Sequence, residues 1–235
     1  VKETINKNSI DITFNIFEGQ KELVERINVR GNSVTNEDVV RSELLLDEGD
    51  PFTKINLDKS ISNIKARNLF KDVNYQISNG SENNLKIIDI KVDERPTGEI
   101  SAGAGIGTSG GAIAFGIKEN NWLGTGKSVQ FDLDLDEESL AGVISLNDPN
   151  YDKLGNSLNY FLRSEGNDKP DQGYENTVIS AGVGTSFKQY KDVRATVGTS
   201  FTYDDLRTLD SASESLKKQK GEFSDLFILL IILVE

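Results

Sequence analysis

Along the first 96 residues, the spacing of apolar residues changes from segment to segment. Some segments have the two-residue period of a strand, and others have the 3.6-residue period of a helix. Apolar and polar residues alternate over 10–17, which predicts a half-buried strand. A second strand is predicted over 23–30, with Ile27 on one face and Val24 on the other. A glycine follows each segment and is expected to end it.

Two helices are predicted next. The first is expected to begin near Thr35, which stands three residues before an acidic residue and is the predicted N-cap, and to extend toward Gly49. The second is predicted over about 53–69, because apolar residues recur there at i, i+4 and i+7. Both segments therefore place an apolar stripe against the predicted strands.

Alternating strands at 73–78 and 88–92 complete the module. The order β-α-α-β-β over about 75 residues is that of a small α+β domain, close to the lower size limit for independent folding. The apolar alternation of 12–18 also resembles that of 88–94, one module length further on. This repeat predicts that residues 1–19 end a preceding copy of the same module.

The second half of the chain consists of alternating segments rich in Gly, Ser, Ala and Thr. Each approaches the roughly 9–11 residues with which a tilted strand crosses hydrocarbon. One face of each is apolar, and the other carries Gly, Asn, Asp and Arg. We predict seven strands, at 100–107, 113–117, 129–135, 140–146, 158–163, 179–187 and 193–203.

Two architectures fit these strands, a membrane barrel and a soluble sandwich, because both have one apolar and one polar face. Short turns at 108–111 and 136–138 alternate with longer connections at 120–126 and 165–173. The polar faces are rich in glycine and charge, as expected of a wet lumen. Both features favour the barrel.

The end of the chain departs from this pattern. Residues 223–227 could begin an eighth strand, but 228–234 are apolar without alternation and are too short for a membrane helix. We interpret roughly the last eight residues as a possible artefact such as a reading-frame error; the alternative is a buried strand. Because seven strands do not close a bacterial barrel, we expect a barrel truncated partway round.

Composition narrows the function. The net charge of −12 argues against nucleic acid as a partner, since phosphate binding requires clustered Lys and Arg. The chain has no Cys, His or Met, so a thiolate nucleophile is absent and a zinc site is improbable. Neither a phosphate-binding loop with a following helix nor a nucleophile–base pair is visible. We therefore expect no enzyme activity, no cofactor and no metal.

One loop resembles a known family. Asn-Trp-Leu-Gly-Thr-Gly after the second predicted barrel strand is similar to a loop of the BamA family of outer-membrane protein assembly factors. The motif Val-Asp-Glu-Arg-Pro-Thr-Gly at 92–98 matches the same family, and Asn-Asp-Pro-Asn-Tyr at 147–151 resembles its Asn-Pro-Tyr turn, in the same order. The loop comprises Asn121, Trp122, Leu123, Gly124, Thr125 and Gly126.

The resemblance implies an α+β POTRA domain (β-α-α-β-β) followed by an incomplete antiparallel transmembrane β-barrel. By it, residues 1–19 end one POTRA domain, 20–96 form the last POTRA domain, and 97–235 form the first barrel strands. It also implies residence in the bacterial outer membrane, with the POTRA domain in the periplasm. The implied activity is insertion of other β-barrels into that membrane. The implied partners are unfolded outer-membrane proteins, assembly-complex lipoproteins, a periplasmic chaperone and outer-membrane lipid.

The first barrel strand is the candidate lateral gate. Its glycines and alanines pack few side chains, which suits a strand that parts from its neighbour and pairs with an incoming one. The alternative is that glycine only fits a crowded barrel wall. The candidate gate residues are Glu99, Ile100, Ser101, Ala102, Gly103, Ala104, Gly105, Ile106 and Gly107.

The resemblance also implies a partner site at Glu48 and Gly49, although an acidic turn ending a helix is an equally good interpretation. A POTRA edge strand at Val73, Asn74, Tyr75, Gln76 and Ile77 is predicted to bind unfolded substrate by strand addition. Two alternative functions stay open, a TamA-like translocation and assembly barrel and a two-partner secretion exporter.

Overall fold

The computed structural model describes residues 2–6, 9–14, 20–107, 110–191 and 193–234. The chain begins with a hairpin of β1 (Lys2–Asn6) and β2 (Ser9–Thr13). The predicted strand over 10–17 is therefore present in its first half, and residues 15–19 lie outside the described part. That this hairpin ends a preceding POTRA domain stays a prediction.

The predicted β-α-α-β-β module is present. Its elements are β3 (Leu23–Arg30), α1 (Glu37–Arg41), α2 (Lys54–Ala66), β4 (Phe70–Asn79) and β5 (Leu85–Glu94). The sheet order is β3-β5-β4, with β5 parallel to β3 and antiparallel to β4. Both outer strands of this sheet are therefore edge strands.

The core of this domain lies between the two helices and one face of the sheet. The predicted apolar stripe of α2 is buried, as are alternate residues of β5. The central members of the core are Val40, Leu57, Ile64, Leu69, Val73, Ile88 and Ile90. Burial of a side chain of this size contributes about 1.5–3 kcal/mol, so this cluster supplies most of the stability of the domain.

Three details of the predicted module were wrong. Val24 and Ile27 were placed on opposite faces of β3, but an irregularity between Val24 and Arg26 turns both into the core. The N-cap of α1 is Asn36, and Thr35 is buried with its hydroxyl bonded elsewhere. Helix α1 also has only five residues, because the chain turns at Ser42.

Eight strands follow in one antiparallel sheet, each paired with the next. A short 3₁₀ turn at Trp122–Gly124 lies between the second and third of them, and α3 (Glu214–Lys217) lies between the last two. The strands are β6 (Gly98–Gly107), β7 (Gly110–Glu119), β8 (Ser128–Asp136), β9 (Ser139–Asp148), β10 (Ser157–Lys169), β11 (Tyr174–Tyr190), β12 (Val193–Thr208) and β13 (Gly221–Val234).

The strand register aligns side chains of one kind across the whole sheet. One row is apolar in every strand, and the adjacent row is mostly polar or glycine, so the faces differ as predicted. The apolar row is Ile100, Ile117, Phe131, Ile144, Leu162, Ala181, Phe201 and Leu226. The neighbouring row is Ser101, Gly116, Asp132, Val143, Arg163, Ser180, Thr202 and Asp225.

The apolar row is exposed on the protein surface. Ile100 is 76% exposed, Phe201 50% and Ile144 48%. A soluble sandwich would cover such a face with a second sheet, yet the described strands from β6 to β13 form one sheet and none packs over it. The sandwich alternative is therefore wrong, and the apolar face requires another apolar phase.

Two predictions about the second half need correction. The long connection predicted at 165–173 is short, because β10 continues to Lys169. The apolar end of the chain is a strand, since β13 pairs with β12 as far as Val234. Its residues 227, 229, 231 and 233 lie opposite polar or small residues of β12, so both faces of this strand are apolar. The reading-frame hypothesis stays a prediction.

Among the helices of the described ranges, none has the length and apolar character needed to cross a membrane.

Candidate functional site

The predicted gate strand β6 lies at one edge of the eight-stranded sheet. It pairs with β7 from Gly98 to Gly107, and no described strand lies on its other side. The opposite edge of the sheet is β13. The structure thus places all nine predicted gate residues on one open edge.

The register shows which backbone groups of β6 are available. The amide of Asn120 donates to the carbonyl of Thr97 at 3.2 Å, so residues 97 and 120 form a hydrogen-bonded pair. Because such pairs alternate along an antiparallel ladder, the odd-numbered residues of β6 bond to β7. The even-numbered residues, which include Ala102 and Ala104, direct their amides and carbonyls toward the open edge.

Side-chain packing along this strand is sparse. A Cβ added at Gly103 or Gly105 would meet no atom within 4 Å. Within the described part of the chain, no contact requires glycine at these two positions; the crowded-wall alternative stays open for the complete barrel. Small residues leave the strand with little cross-strand stabilisation beyond its backbone hydrogen bonds.

The predicted substrate strand, β4, is an edge strand of the three-stranded POTRA-like sheet. The amide of Val73 points away from β5 and donates to its neighbour's carboxylate, that of Asp72, at 2.9 Å. Alternation along the ladder directs the amides of Tyr75 and Ile77 to the same side. Val73 itself is buried in the core, and the hydroxyl of Tyr75 donates to Asp58 at 2.7 Å. The free backbone of this edge therefore begins at Tyr75.

The predicted partner site, Glu48 and Gly49, covers the outer edge of β3. The amide of Ile27 donates to the carboxylate of Glu48 at 3.0 Å, and the amide of Gly49 donates to the carbonyl of Val24 at 2.7 Å. Gly49 has a φ of +96° in an open position. The acidic turn thus has a structural role, because it blocks β3 as a pairing edge.

The Asn-Trp-Leu-Gly-Thr-Gly turn, residues 121–126, contacts the POTRA-like domain. Its Asn121 and Thr35 are both buried, and the Asn121 Nδ2 donates to the Thr35 hydroxyl at 2.8 Å. The amide of Asn36 donates to the carbonyl of Gly124 at 2.8 Å, and Arg67 donates to the carbonyl of Gly126 at 2.7 Å. The turn therefore joins the two halves of the chain.

Sequence reasoning missed the residues on the other side of this junction. Nothing in the sequence marks Arg67 as an interface residue, because basic residues are common at the ends of helices. Glu94 lies in the 92–98 motif, and this motif is the only sequence feature that indicates a role for it. Its carboxylate accepts hydrogen bonds from the amides of Ser33, Val34 and Thr35 and from the Ser33 hydroxyl.

Electrostatics at Glu94 follow from this geometry. Partial burial disfavours the charged form, but the hydrogen bonds from Ser33, Thr35 and Val34 outweigh it and lower the pKa of Glu94 to about 2. The carboxylate is therefore ionised at neutral pH and holds the 33–35 loop against the end of β5.

Two family models match the chain on either side of this junction. The POTRA model (surface antigen variable number repeat) matches residues 23–95, and the Omp85 superfamily domain matches residues 121–232. The outer membrane protein assembly factor BamA of Neorickettsia risticii is 27% identical over 90% of the chain, which covers 29% of that relative. This chain therefore resembles BamA, with a POTRA match followed by an Omp85 superfamily match.

Solved structures agree in fold. BamA from Haemophilus ducreyi lacking POTRA domains 1–3 superimposes with a TM-score of 0.75 at 22% identity, over 98% of this chain and 47% of that one. CdiB from Acinetobacter baumannii gives 0.56 at 13% identity, over 92% of this chain and 43% of that one. The chain thus spans less than half the length of these proteins.

The similarity to BamA explains the exposed apolar row. The chain is a bacterial outer-membrane protein with its POTRA domain in the periplasm. Lipid then covers the apolar face of β6–β13, and the polar face lines the lumen side. The connections on the POTRA side, which include residues 120–127 and 149–156, are accordingly periplasmic.

Proposed function

We propose that this chain takes part in the assembly and insertion of β-barrel proteins into the bacterial outer membrane. The observation that carries the proposal is the combination of a POTRA match, an Omp85 superfamily match and similarity to a BamA over 90% of the chain. Unsatisfied backbone groups in hydrocarbon cost several kcal/mol each, so the outer side of β6 needs a strand to pair with.

Strand addition at β6 is the proposed mechanism. An incoming strand would pair with the backbone groups at Ala102 and Ala104, which point away from β7. Because Gly103 and Gly105 carry no side chain, β6 itself offers little steric selection against residues of the incoming strand at these positions. Backbone pairing without side-chain selection suits a template for many different substrates.

The POTRA edge β4 is proposed to hold a substrate segment before insertion. Its backbone is open from Tyr75 onward, whereas the β3 edge is covered by the acidic turn. A substrate strand would add to β4 through the amides of Tyr75 and Ile77. Binding of this kind is again independent of substrate sequence.

Partner binding at Glu48 and Gly49 stays a proposal, and the contacts that Glu48 already makes limit how a partner could bind there. The Glu48 carboxylate already accepts the Ile27 amide and lies 3.8 Å from Arg41. A lipoprotein docking here would therefore contact the remaining carboxylate oxygen or the exposed Gly49 turn. A periplasmic chaperone and outer-membrane lipid complete the proposed partners.

The proposed activity is non-covalent. Strand exchange replaces one set of backbone hydrogen bonds by another and needs neither a nucleophile nor a cofactor. Rate acceleration would come from presenting a preformed strand edge inside the membrane, which lowers the cost of starting a new sheet there.

Cysteine cross-linking can test the β6 template, because the chain contains no Cys. In lipid vesicles, a barrel substrate with one Cys in its terminal strand is expected to form a disulfide with Ser101→Cys. Val143→Cys is the matched control, since it lies on the same row of the sheet in an interior strand.

Ala102→Pro adds a functional readout, because proline removes an amide on the open edge. We expect the substrate folding rate to fall to that of protein-free vesicles. Equal cross-linking at positions 101 and 143, or full activity in Ala102→Pro, would contradict templating by β6.

A further inference from the structure

The Asn-Trp-Leu-Gly-Thr-Gly turn contacts the POTRA domain through its backbone, its glycines and the Asn121 side chain. Trp122 and Leu123 are exposed, at 46% and 78%, whereas Gly124 is buried. The conspicuous aromatic residue of the turn therefore lies on its outer side. The side of the turn that faces the POTRA domain consists of Asn121, Gly124 and Gly126.

Both glycines are required by close approach. Gly124 has a φ of +74°, and a Cβ there would lie 2.1 Å from the carbonyl oxygen of Val34. Gly126 has a φ of +69°, and its Cβ would lie 2.7 Å from Val39 Cγ1 and 2.9 Å from Arg67 Nη2. A side chain at Gly124 would overlap the Val34 backbone and is incompatible with the domain contact, whereas one at Gly126 would displace the side chains of Val39 and Arg67 in a strained backbone conformation.

A buried hydrogen bond between polar side chains fixes the orientation of the turn against the POTRA domain. The Asn121 side chain donates to Thr35 and accepts from the Gly126 amide at 2.8 Å, so it fixes the turn and the domain contact together. Uncharged polar groups are buried in proteins only when paired, so this contact is a built interface and not a loose approach.

Arg67 extends the interface to a second periplasmic connection. Its guanidinium lies 2.6 Å from the Glu43 carboxylate and also donates to the Gly126 carbonyl. Glu43 and the carbonyl of Ser42 in turn accept from the Asn150 side chain, at 3.4 and 3.3 Å. The Arg67 and Glu43 side chains are each only 14% exposed, which strengthens these charged contacts.

We propose that these residues form a latch that fixes the orientation of the POTRA domain relative to the first barrel strands. The latch consists of the POTRA residues Thr35, Asn36, Glu43 and Arg67 and the turn residues Asn121, Gly124, Gly126 and Asn150. Arg67 is the positioning residue of the latch. It lies at the end of α2 and links this helix to both periplasmic loops, directly to residues 121–126 and through Glu43 to Asn150. Breaking the latch releases the domain without unfolding it. The latch requires only the fold, so it stands apart from the assembly activity.

Hydrogen exchange of the full chain in membranes tests the latch. In Arg67→Ala and in Gly124→Ala, the Asn36 amide is expected to exchange about ten- to a hundredfold faster, the range for losing a charged hydrogen bond. The amides of Ile88 and Ile90, in the central strand of the domain, are expected to keep their rates.

Two matched variants control for general damage. Arg30→Ala removes an exposed arginine whose ion pair with Asp89, at 3.5 Å, lies within the POTRA domain. Gly155→Ala has the same backbone requirement as Gly124→Ala, since its φ is +83°, but its Cβ would meet nothing within 4 Å. Neither should change exchange at Asn36.

Spin labels on the otherwise cysteine-free chain supply a second readout. Labels at Lys59 in α2 and Lys188 in β11 should give a narrow distance distribution that broadens in both latch variants. An unchanged Asn36 rate and distance distribution in both would overturn the proposal. Equal acceleration at Asn36, Ile88 and Ile90 in both would overturn it too, because the residues would then only stabilise the domain.

Discussion

Glu94 shows how one carboxylate organises the boundary between the two domains. It ends β5, accepts three backbone amides from the 33–35 loop, and so holds Thr35 and Asn36 where the barrel turn meets them. Backbone amides donate to a negatively charged carboxylate in this interaction, so Glu94 must be ionised for it to form.

The pH dependence of stability follows from the pKa of Glu94. That pKa is about 2 in the folded state against an ordinary 4.5. Its stabilisation is therefore complete above about pH 4.5 and is lost as the pH falls toward 2. Because the carboxylate is partly exposed, we expect about 1–2 kcal/mol of POTRA unfolding free energy from it.

Urea unfolding of the POTRA domain within the micelle-bound chain measures this effect. The wild-type midpoint should decrease between pH 5 and 3 by more than that of Glu94→Gln, which lacks the titrating group. Glu82→Gln, in the exposed β4–β5 turn, should behave as the wild type. Parallel pH profiles for the wild type and Glu94→Gln would rule out this role.

At the scale of elements, the two edge strands of the POTRA sheet differ in what covers them. The POTRA sheet covers the outer edge of β3 with the acidic turn, whereas no described strand or turn covers the outer edge of β4 from Tyr75 onward. Natural sheets usually protect their edges, so the uncovered backbone of β4 is the edge of this domain that an added strand can reach.

The β4 edge can be tested with two proline variants that differ by one position. Ile77→Pro removes an outward amide, so we expect the domain to lose less than about 1 kcal/mol and to stop cross-linking to an unfolded barrel substrate. Gln76→Pro removes a bond to β5 and should destabilise the domain by about 1–3 kcal/mol. Wild-type cross-linking by folded Ile77→Pro would exclude β4 as the binding edge.

At the scale of the molecule, the chain combines a domain with its own core and a sheet that has none. The fourteen-residue core cluster lies in the POTRA domain. In the described part of the second half, the buried apolar side chains are two alanines, Ala195 in β12 and Ala212 in the connection between β12 and α3. The stability of the sheet therefore depends on lipid. The junction connects this lipid-stabilised sheet to a POTRA domain that folds around its own core in water.

Adjacent residues of β9 test which face meets lipid. Ile144→Lys places a charge on the apolar row near the middle of the strand and should destabilise the membrane-folded state by about 2–4 kcal/mol. Val143→Lys, on the lumen row beside Asp132, should change it little. Guanidinium titrations in lipid vesicles measure both, and similar losses would contradict the assigned faces.

The sequence by itself determined the elements and their faces. Period-two alternation in the second half and the stripe of α2 are local properties, so they predicted the strands, the lipid face and the β-α-α-β-β order. The motif at 121–126 was recognisable because its glycines are fixed by the backbone.

Only the tertiary structure decided how distant segments meet. It turned both Val24 and Ile27 inward through an irregularity in β3, made Thr35 an interface residue, and paired the apolar end of the chain as β13. It also brought Arg67 and Glu94 to the junction. These outcomes depend on contacts between residues far apart in sequence, sixty in one case and eighty-six in another, which no local pattern records.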